Sequence, residues 1–179
     1  MGQRNQLAED WRDKVTVFPG LVVIDLDFTL WDCGGTWVDC TTPPFDQGSD
    51  GVVKDQTGAE MKLYDDIREI LEFLQEKEVP LAIASRTHAP SDALRLLDLL
   101  GVDKCFQFLE IYPGSKRSHF EHLRQDSGVP FGQMVFFDDE QRNIDEITAL
   151  GVESVFVRSG LTWPVLRRTL QTFSSVHSQ

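Results

Sequence analysis

Two aspartates spaced two apart, Asp25 and Asp27, close the apolar run Leu21-Val22-Val23-Ile24. Later apolar runs end on groups of complementary chemistry: Ser85, Arg86 and Thr87 after Leu81-Ala82-Ile83-Ala84, Lys116 shortly after Ile111, and Asp138-Asp139 after Met134-Val135-Phe136-Phe137. Carboxylates, a hydroxyl and two cations converging on one rim suit phosphoryl transfer assisted by a metal. Clustered carboxylates repel one another, and an oxygen-ligated Mg²⁺ resolves the repulsion while leaving coordination positions for water and phosphate. A carboxylate approaching a phosphate needs such a metal and a lysine to screen the two anions. One Asp would then be the nucleophile, forming an aspartyl-phosphate. A second carboxyl within reach of the leaving oxygen could protonate it and afterwards activate the water that clears the intermediate. The D-x-D spacing serves this if Leu26 turns the chain, which would also offer the Leu26 N–H to a phosphate oxygen.

These residues need a scaffold that brings strand ends together. Continuous β-branched and apolar runs at 21–24, 81–84, 134–137 and 155–157, with a weaker one at 106–111, read as strands buried on both faces of a parallel sheet. Helical spacing fills the intervals. Ile67, Ile70, Leu71 and Leu74 form one apolar stripe that Pro80 must stop, and Ala93, Leu96, Leu97 and Leu100 form another that ends at Gly101. Further helices are expected around Phe120 and Leu123, around Ile144 and Ile147, and from near Thr162 with Pro164 in the first turn. Strands alternating with helices predict an α/β fold, a Rossmann-like three-layer parallel sheet with helices on both faces, whose ligands bind beyond the carboxyl ends of the strands. The segment 31–62 breaks the pattern. Its Gly34-Gly35, Pro43-Pro44, Gly48, Gly51 and Gly58 predict a flap or hairpin excursion, and residues 1–19 read as an N-terminal extension with room for a short helix.

The length of 179 residues predicts a single domain. The 17 Lys and Arg against 29 Asp and Glu give a formal charge of −12, which argues against nucleic acid and anionic membrane as partners, since both need basic surface. Any phosphate that binds must be met by local donors or a metal. The cysteines Cys33, Cys40 and Cys105 are odd in number and form no C-x-x-C pair, so neither a disulfide scaffold nor a cysteine zinc site is expected. With no apolar signal segment and no membrane-length apolar run, a cytoplasmic protein is expected, with a monomer favoured.

In combination, D-L-D-F-T-L-W, P-P-F, A-S-R-T, I-Y-P-G-S-K and V-F-F-D-D-E resemble the haloacid-dehalogenase (HAD) superfamily, and within it the magnesium-dependent phosphatase family, an acid-phosphatase-like branch. The resemblance runs from about Leu21 to Val157. It implies that Asp25 is the nucleophile and Asp27 the general acid/base. Ser85 would hydrogen-bond the transferring group, and Lys116 would balance its charge. Arg86 would reach a substrate oxygen. Mg²⁺ would sit on the Asp25 carboxylate, the Asp27 main-chain carbonyl and one of the Asp138-Asp139 pair; the family pattern favours Asp139, leaving Asp138 to hold a metal-bound water. The family's association with phosphotyrosine and sugar phosphates implies a phosphorylated small-molecule or protein substrate. The Trp31–Pro43 stretch is longer and richer in Gly than the family pattern, and no segment is long enough for a separate cap domain. That implies an open, capless site.

Other readings compete locally. A receiver-like regulatory domain that stores an aspartyl-phosphate shares these residue types, but the order of the motifs disfavours it. One of Asp138 and Asp139 is expected to cap the helix around Ile144. His119 and His122 are expected on a solvated helix face, Trp31 as an anchor of the flap, and Trp37 and Phe45 either at the mouth of the site or as further anchors.

Overall fold

The computed structural model describes Trp11 and residues 14–178. Most of the N-terminal extension, with any helix in it, therefore lies outside the described residues; Trp11 and Val15 are buried in the main core.

Each long apolar run forms a strand because both of its faces are covered. In β1 (Leu21–Ile24), Val22 and Ile24 pack on one side of the sheet and Leu21 and Val23 on the other, all fully buried. The flap follows as β2 (Trp31–Cys33), β3 (Asp46–Gln47), β4 (Val53–Lys54) and β5 (Glu60–Leu63). Then come α1 (Ile67–Glu76), β6 (Leu81–Ser85), α2 (Pro90–Leu99), β7 (Phe108–Ile111), α3 (Lys116–Ser127), β8 (Met134–Asp138), α4 (Gln141–Thr148), β9 (Glu153–Phe156) and α5 (Trp163–His177).

The main sheet runs β7-β6-β1-β8-β9, parallel throughout. The chain builds outward from β1 through β6 to β7, then crosses back to place β8 on the other side of β1. Right-handed crossovers in opposite directions put helices on opposite faces. Ile67, Ile70, Leu96, Leu97, Leu166 and Leu170 of α1, α2 and α5 join one core; Phe120, Leu123, Ile144 and Ile147 of α3 and α4 join the other. The predicted α/β architecture is the one observed. The reversal of strand order beside β1 opens a crevice at its carboxyl end, where Asp25 and Asp27 lie.

The segment between β1 and α1 forms a separate four-stranded antiparallel sheet, β2-β5-β4-β3. Its Trp31, Cys33, Val38, Phe45, Val53 and Met61 are buried and continuous with the main core, so it is anchored along its length. Among the described residues no helix is long and apolar enough to cross a membrane.

Candidate active site

The chain leaves β1 through a tight turn that sets the first two carboxylates. The Leu26 carbonyl accepts the amides of Thr29, Leu30 and Trp31, and Phe28 adopts φ 58°, a left-handed conformation rare for a non-glycine residue. A second loop braces this turn: Gly160 N–H donates to the Phe28 carbonyl (3.0 Å) and Leu161 N–H to that of Thr29 (2.9 Å). The Leu26 N–H itself has no protein acceptor among the described residues.

Lys116 opens α3, whose N-cap Ser115 accepts from the Ser118 amide, and its side chain runs back beneath the strand ends. It is 1% exposed. Its ammonium donates to Asp25 Oδ1 at 2.6 Å and to the Ala84 carbonyl, and lies 3.0 Å from Asp138 Oδ2. Its three protons thus have three acceptors. Burial alone would lower its pKa, but the attraction of Asp25 and Asp138 outweighs that and raises it, keeping the charge in place. Burial pushes the Asp25 carboxyl up, with Lys116 opposing.

Asp138 ends β8. Its Oδ1 accepts Glu140 N–H at 2.7 Å, and Asn143 Nδ2 reaches Oδ1 and Oδ2 at 3.1 and 3.0 Å. Neither Asp138 nor Asp139 caps the helix around Ile144, contrary to expectation: its N-cap is Glu140, without a side-chain capping bond, and Asp138 instead closes a turn on the Glu140 amide two residues on. Asp139 faces the cleft, its carboxyl raised to about 6 by partial burial and by neighbouring Asp138. One oxygen each from Asp25, Asp138 and Asp139 lie within 4.8 Å of one another. Three carboxylates that close, with one lysine among them, form an all-oxygen donor set with unbalanced negative charge, which fits a hard divalent cation.

Asp27 is buried beside them, its carboxyl raised to about 6 by burial, against the hydrogen bonds from Trp31 and Val38. Cys33 is buried nearby, and burial first, then Asp27 and Asp32, push its thiol up, so it stays protonated. Ser85 at the end of β6 is buried; its Oγ lies 3.4 Å from the Thr87 amide, leaving its own proton to donate. Arg86 Nη1 donates to Asn143 Oδ1 at 3.2 Å.

Asp25, Asp27, Ser85, Arg86, Lys116 and Asp139, all singled out in the sequence, line one cleft of about 290 Å³ with Trp37, Asp39, His88, Arg142 and Asn143. Leu26 lies behind it, fully buried. Three contributors were missed by sequence reasoning: Trp31 and the Val38 amide, both bonded to Asp27, and Asn143, which ties Asp138 to Arg86. Trp31 does anchor the flap as expected, whereas Trp37 stands 52% exposed at the mouth. His119 is not solvated: it is fully buried, stacked on Tyr112, with its ring nitrogens 2.7 and 2.9 Å from the Ser115 and Tyr112 carbonyls. The exposed member of that pair is His122.

Residues 17–176 match the acid phosphatase family. The sequence is 45% identical to magnesium-dependent phosphatase 1 of Homo sapiens over 161 residues, 89% of this chain and 90% of that protein. It is 41% identical over 147 residues to a HAD-like hydrolase superfamily protein of Schizosaccharomyces pombe, covering 75% of this chain and 83% of the relative. A HAD-superfamily hydrolase from Ehrlichia chaffeensis shares the fold, with TM-score 0.64 at 13% identity over 87% of this chain and 98% of that one.

Proposed function

This chain belongs to the acid phosphatase family and is a phosphatase; we propose that it hydrolyses phosphomonoesters in two steps through an aspartyl-phosphate on Asp25. The observation that carries the reading is the buried Lys116 bridging Asp25 and Asp138, with Asp139 completing the carboxylate cluster at the sheet's carboxyl rim. In the first step an Asp25 oxygen bonds to phosphorus while the ester P–O bond breaks, its electron pair going to the leaving oxygen. Asp27 supplies the proton that makes this oxygen an alcohol. In the second, Asp27 takes a proton from water as the water oxygen bonds to phosphorus, and the Asp25–phosphorus bond breaks to release phosphate. Ser85 and the Leu26 N–H hold the phosphoryl oxygens; Lys116 keeps Asp25 oriented and offsets charge that builds during transfer.

The relative's name carries magnesium to this chain as the fitting cation. The carboxylates of Asp25 and Asp139 and the Asp27 carbonyl would hold it, and Asp138, whose oxygens are already committed to Lys116, Asn143 and the Glu140 amide, would act through a water. When bound, Mg²⁺ neutralises the phosphate and carboxylate charges that otherwise repel.

The cleft opens beside exposed Trp37, with Arg86, His88 and Arg142 around its mouth. A flat apolar surface facing cations suits phosphotyrosine or sugar phosphates, including protein-linked ones. The free thiols Cys33, Cys40 and Cys105 suit the reducing cytoplasm. The decisive test is phosphate release by the wild type, its loss in Asp25→Asn and in excess chelator, and its return on adding Mg²⁺. Full turnover by folded Asp25→Asn would refute the mechanism, and a long-lived phosphoryl-protein without phosphate release would identify a storage domain instead.

A further inference from the structure

The two oxygens of Asp27 have different surroundings. Oδ1 accepts the indole Nε1–H of Trp31 at 2.7 Å and the backbone N–H of Val38 at 3.0 Å. Oδ2 accepts no N–H or O–H from the described residues; the thiol of Cys33, a weak donor, lies against this carboxyl, and Asp27 lines the cleft. An indole nitrogen and a backbone amide are donors only, so neither can reverse and accept. An oxygen facing two such donors is held as an acceptor, and any proton on this carboxyl resides on the other oxygen.

The donors are themselves immobilised. Trp31 is fully buried, pairs with Leu63 in the flap sheet, and closes the catalytic turn through its own amide to Leu26 (3.1 Å) and its carbonyl from Phe28 N–H (2.9 Å). Val38 is fully buried at the start of the 3₁₀ turn Val38–Cys40, next to the cleft residues Trp37 and Asp39. Both donors come from the flap segment, although the carboxylate they hold belongs to the β1 turn. A side chain this long and this enclosed aims its N–H without a choice of rotamers, which a serine or asparagine in its place would retain.

We infer that Trp31, with the Val38 amide, is a positioning residue that fixes Asp27 Oδ1 and leaves Oδ2 as the atom that gives the proton to the leaving oxygen and takes one from water. The inference rests on the acid/base role proposed above for Asp27. Its consequence is specific: losing the indole N–H harms the reaction in proportion to how much the leaving group needs a proton.

The test compares kcat/KM for two esters, a sugar phosphate whose alkoxide must be protonated and dinitrophenyl phosphate, whose leaving anion needs no proton. Kcat/KM reports only the steps through loss of the leaving group. Wild type, Trp31→Phe, Asp27→Asn and the double variant are measured with Mg²⁺. A positioned general acid contributes on the order of 10²- to 10⁴-fold, so Trp31→Phe is expected to lose about tenfold or more on the sugar phosphate and under about threefold on the activated ester. In the Asp27→Asn background the same change is expected to alter neither rate. Equal losses on both esters, or an undiminished loss when Asp27 is already Asn, would reduce Trp31 to a structural role. If the phenyl variant does not fold, benzothienylalanine at position 31 keeps the bicyclic shape and replaces only the N–H, and the same two ratios decide. Failure of the phosphatase mechanism itself would be seen separately, as full wild-type activity in Asp25→Asn.

Discussion

Lys116 and Asp25, 91 residues apart in sequence, meet in a 2.6 Å hydrogen bond at a point where the lysine is almost wholly shielded from water. The ammonium also touches Asp138, so one cation holds two carboxylates that would otherwise repel. Removing one partner of a buried ion pair typically costs about 3–5 kcal/mol, because the remaining charge is left without compensation. Lys116→Met should therefore unfold at markedly lower temperature than wild type in the presence of chelator. Added Mg²⁺ should recover part of the loss, since a divalent cation can neutralise the same carboxylates, while turnover stays depressed by on the order of 10²-fold. Thermal unfolding with and without Mg²⁺ checks this, and an unchanged melting temperature in chelator would contradict it. Lys116→Arg should not restore activity, because a planar guanidinium cannot place three donors as the ammonium does.

Asn143 carries a second set of constraints. Its amide nitrogen reaches both oxygens of Asp138 and Glu140 Oε2 (3.2 Å), and its carbonyl oxygen accepts from Arg86. Groups that orient a metal-site carboxylate commonly influence metal affinity about 10- to 100-fold. Asn143→Leu, which keeps the number and branching of the side-chain heavy atoms and deletes the bonds, is expected to weaken Mg²⁺ binding by about that factor, read from Mg²⁺ titration of the melting temperature. It should also raise KM by freeing Arg86. A normal Mg²⁺ titration curve would show that Asp138 needs no such support.

What the sequence made legible divides along a physical line. Val22 and Ile24 against Leu21 and Val23 are buried on opposite faces, so β1 appears as an uninterrupted apolar run, and the side chains just past such runs fall on one rim by topology alone. Asp25, Ser85, Lys116 and Asp139 are therefore legible as rim residues in the sequence itself. The strands β3 and β4 are not, because Asp46, Gln47 and Lys54 are exposed and carry no period. His119 was misjudged although its spacing carried the signal: with Lys116, Phe120 and Leu123 it falls on the buried stripe of α3, and the Ser115 and Tyr112 carbonyls pair the ring nitrogens that made it look polar. The roles of Trp31 and Asn143, by contrast, are tertiary. Nothing in an isolated W or N marks it as the partner of a carboxylate.

Asp55 organises the flap through charge. Its Oδ1 accepts the Thr57 hydroxyl (2.7 Å), the Thr57 amide (2.9 Å) and the Ala59 amide (3.1 Å), and its Oδ2 accepts the Thr42 amide (2.9 Å). These bonds, led by that of the Thr57 hydroxyl, hold its pKa at about 2. A carboxyl whose folded pKa is below its unfolded value of about 3.9 stabilises the fold above that value and loses the contribution as pH falls toward the folded pKa. Asp55→Ala should accordingly be less stable than wild type at neutral pH. The gap between their melting temperatures should narrow as pH drops from about 5 toward 2. A gap independent of pH would assign the effect to packing instead.

Gly160 sits where the brace against the catalytic turn has no space for a side chain. A Cβ there would lie 2.2 Å from Tyr64 Cγ, and its φ of +79° disfavours any L-residue. Two penalties are superimposed, and two variants separate them. Gly160→Ala should be strongly destabilised and lose activity, because the amide that holds the Phe28 carbonyl must move with the backbone. Tyr64→Gly combined with Gly160→Ala removes the ring and leaves only the backbone penalty, about 1–2 kcal/mol for an alanine in the left-handed region. Measured against Tyr64→Gly alone, the added alanine should then cost about that much in unfolding free energy. It should recover most of the turnover lost in the single variant, since the turn carrying Asp25 and Asp27 regains its brace. If the alanine costs as much without the ring as with it, the close approach of Tyr64 is not what makes position 160 a glycine.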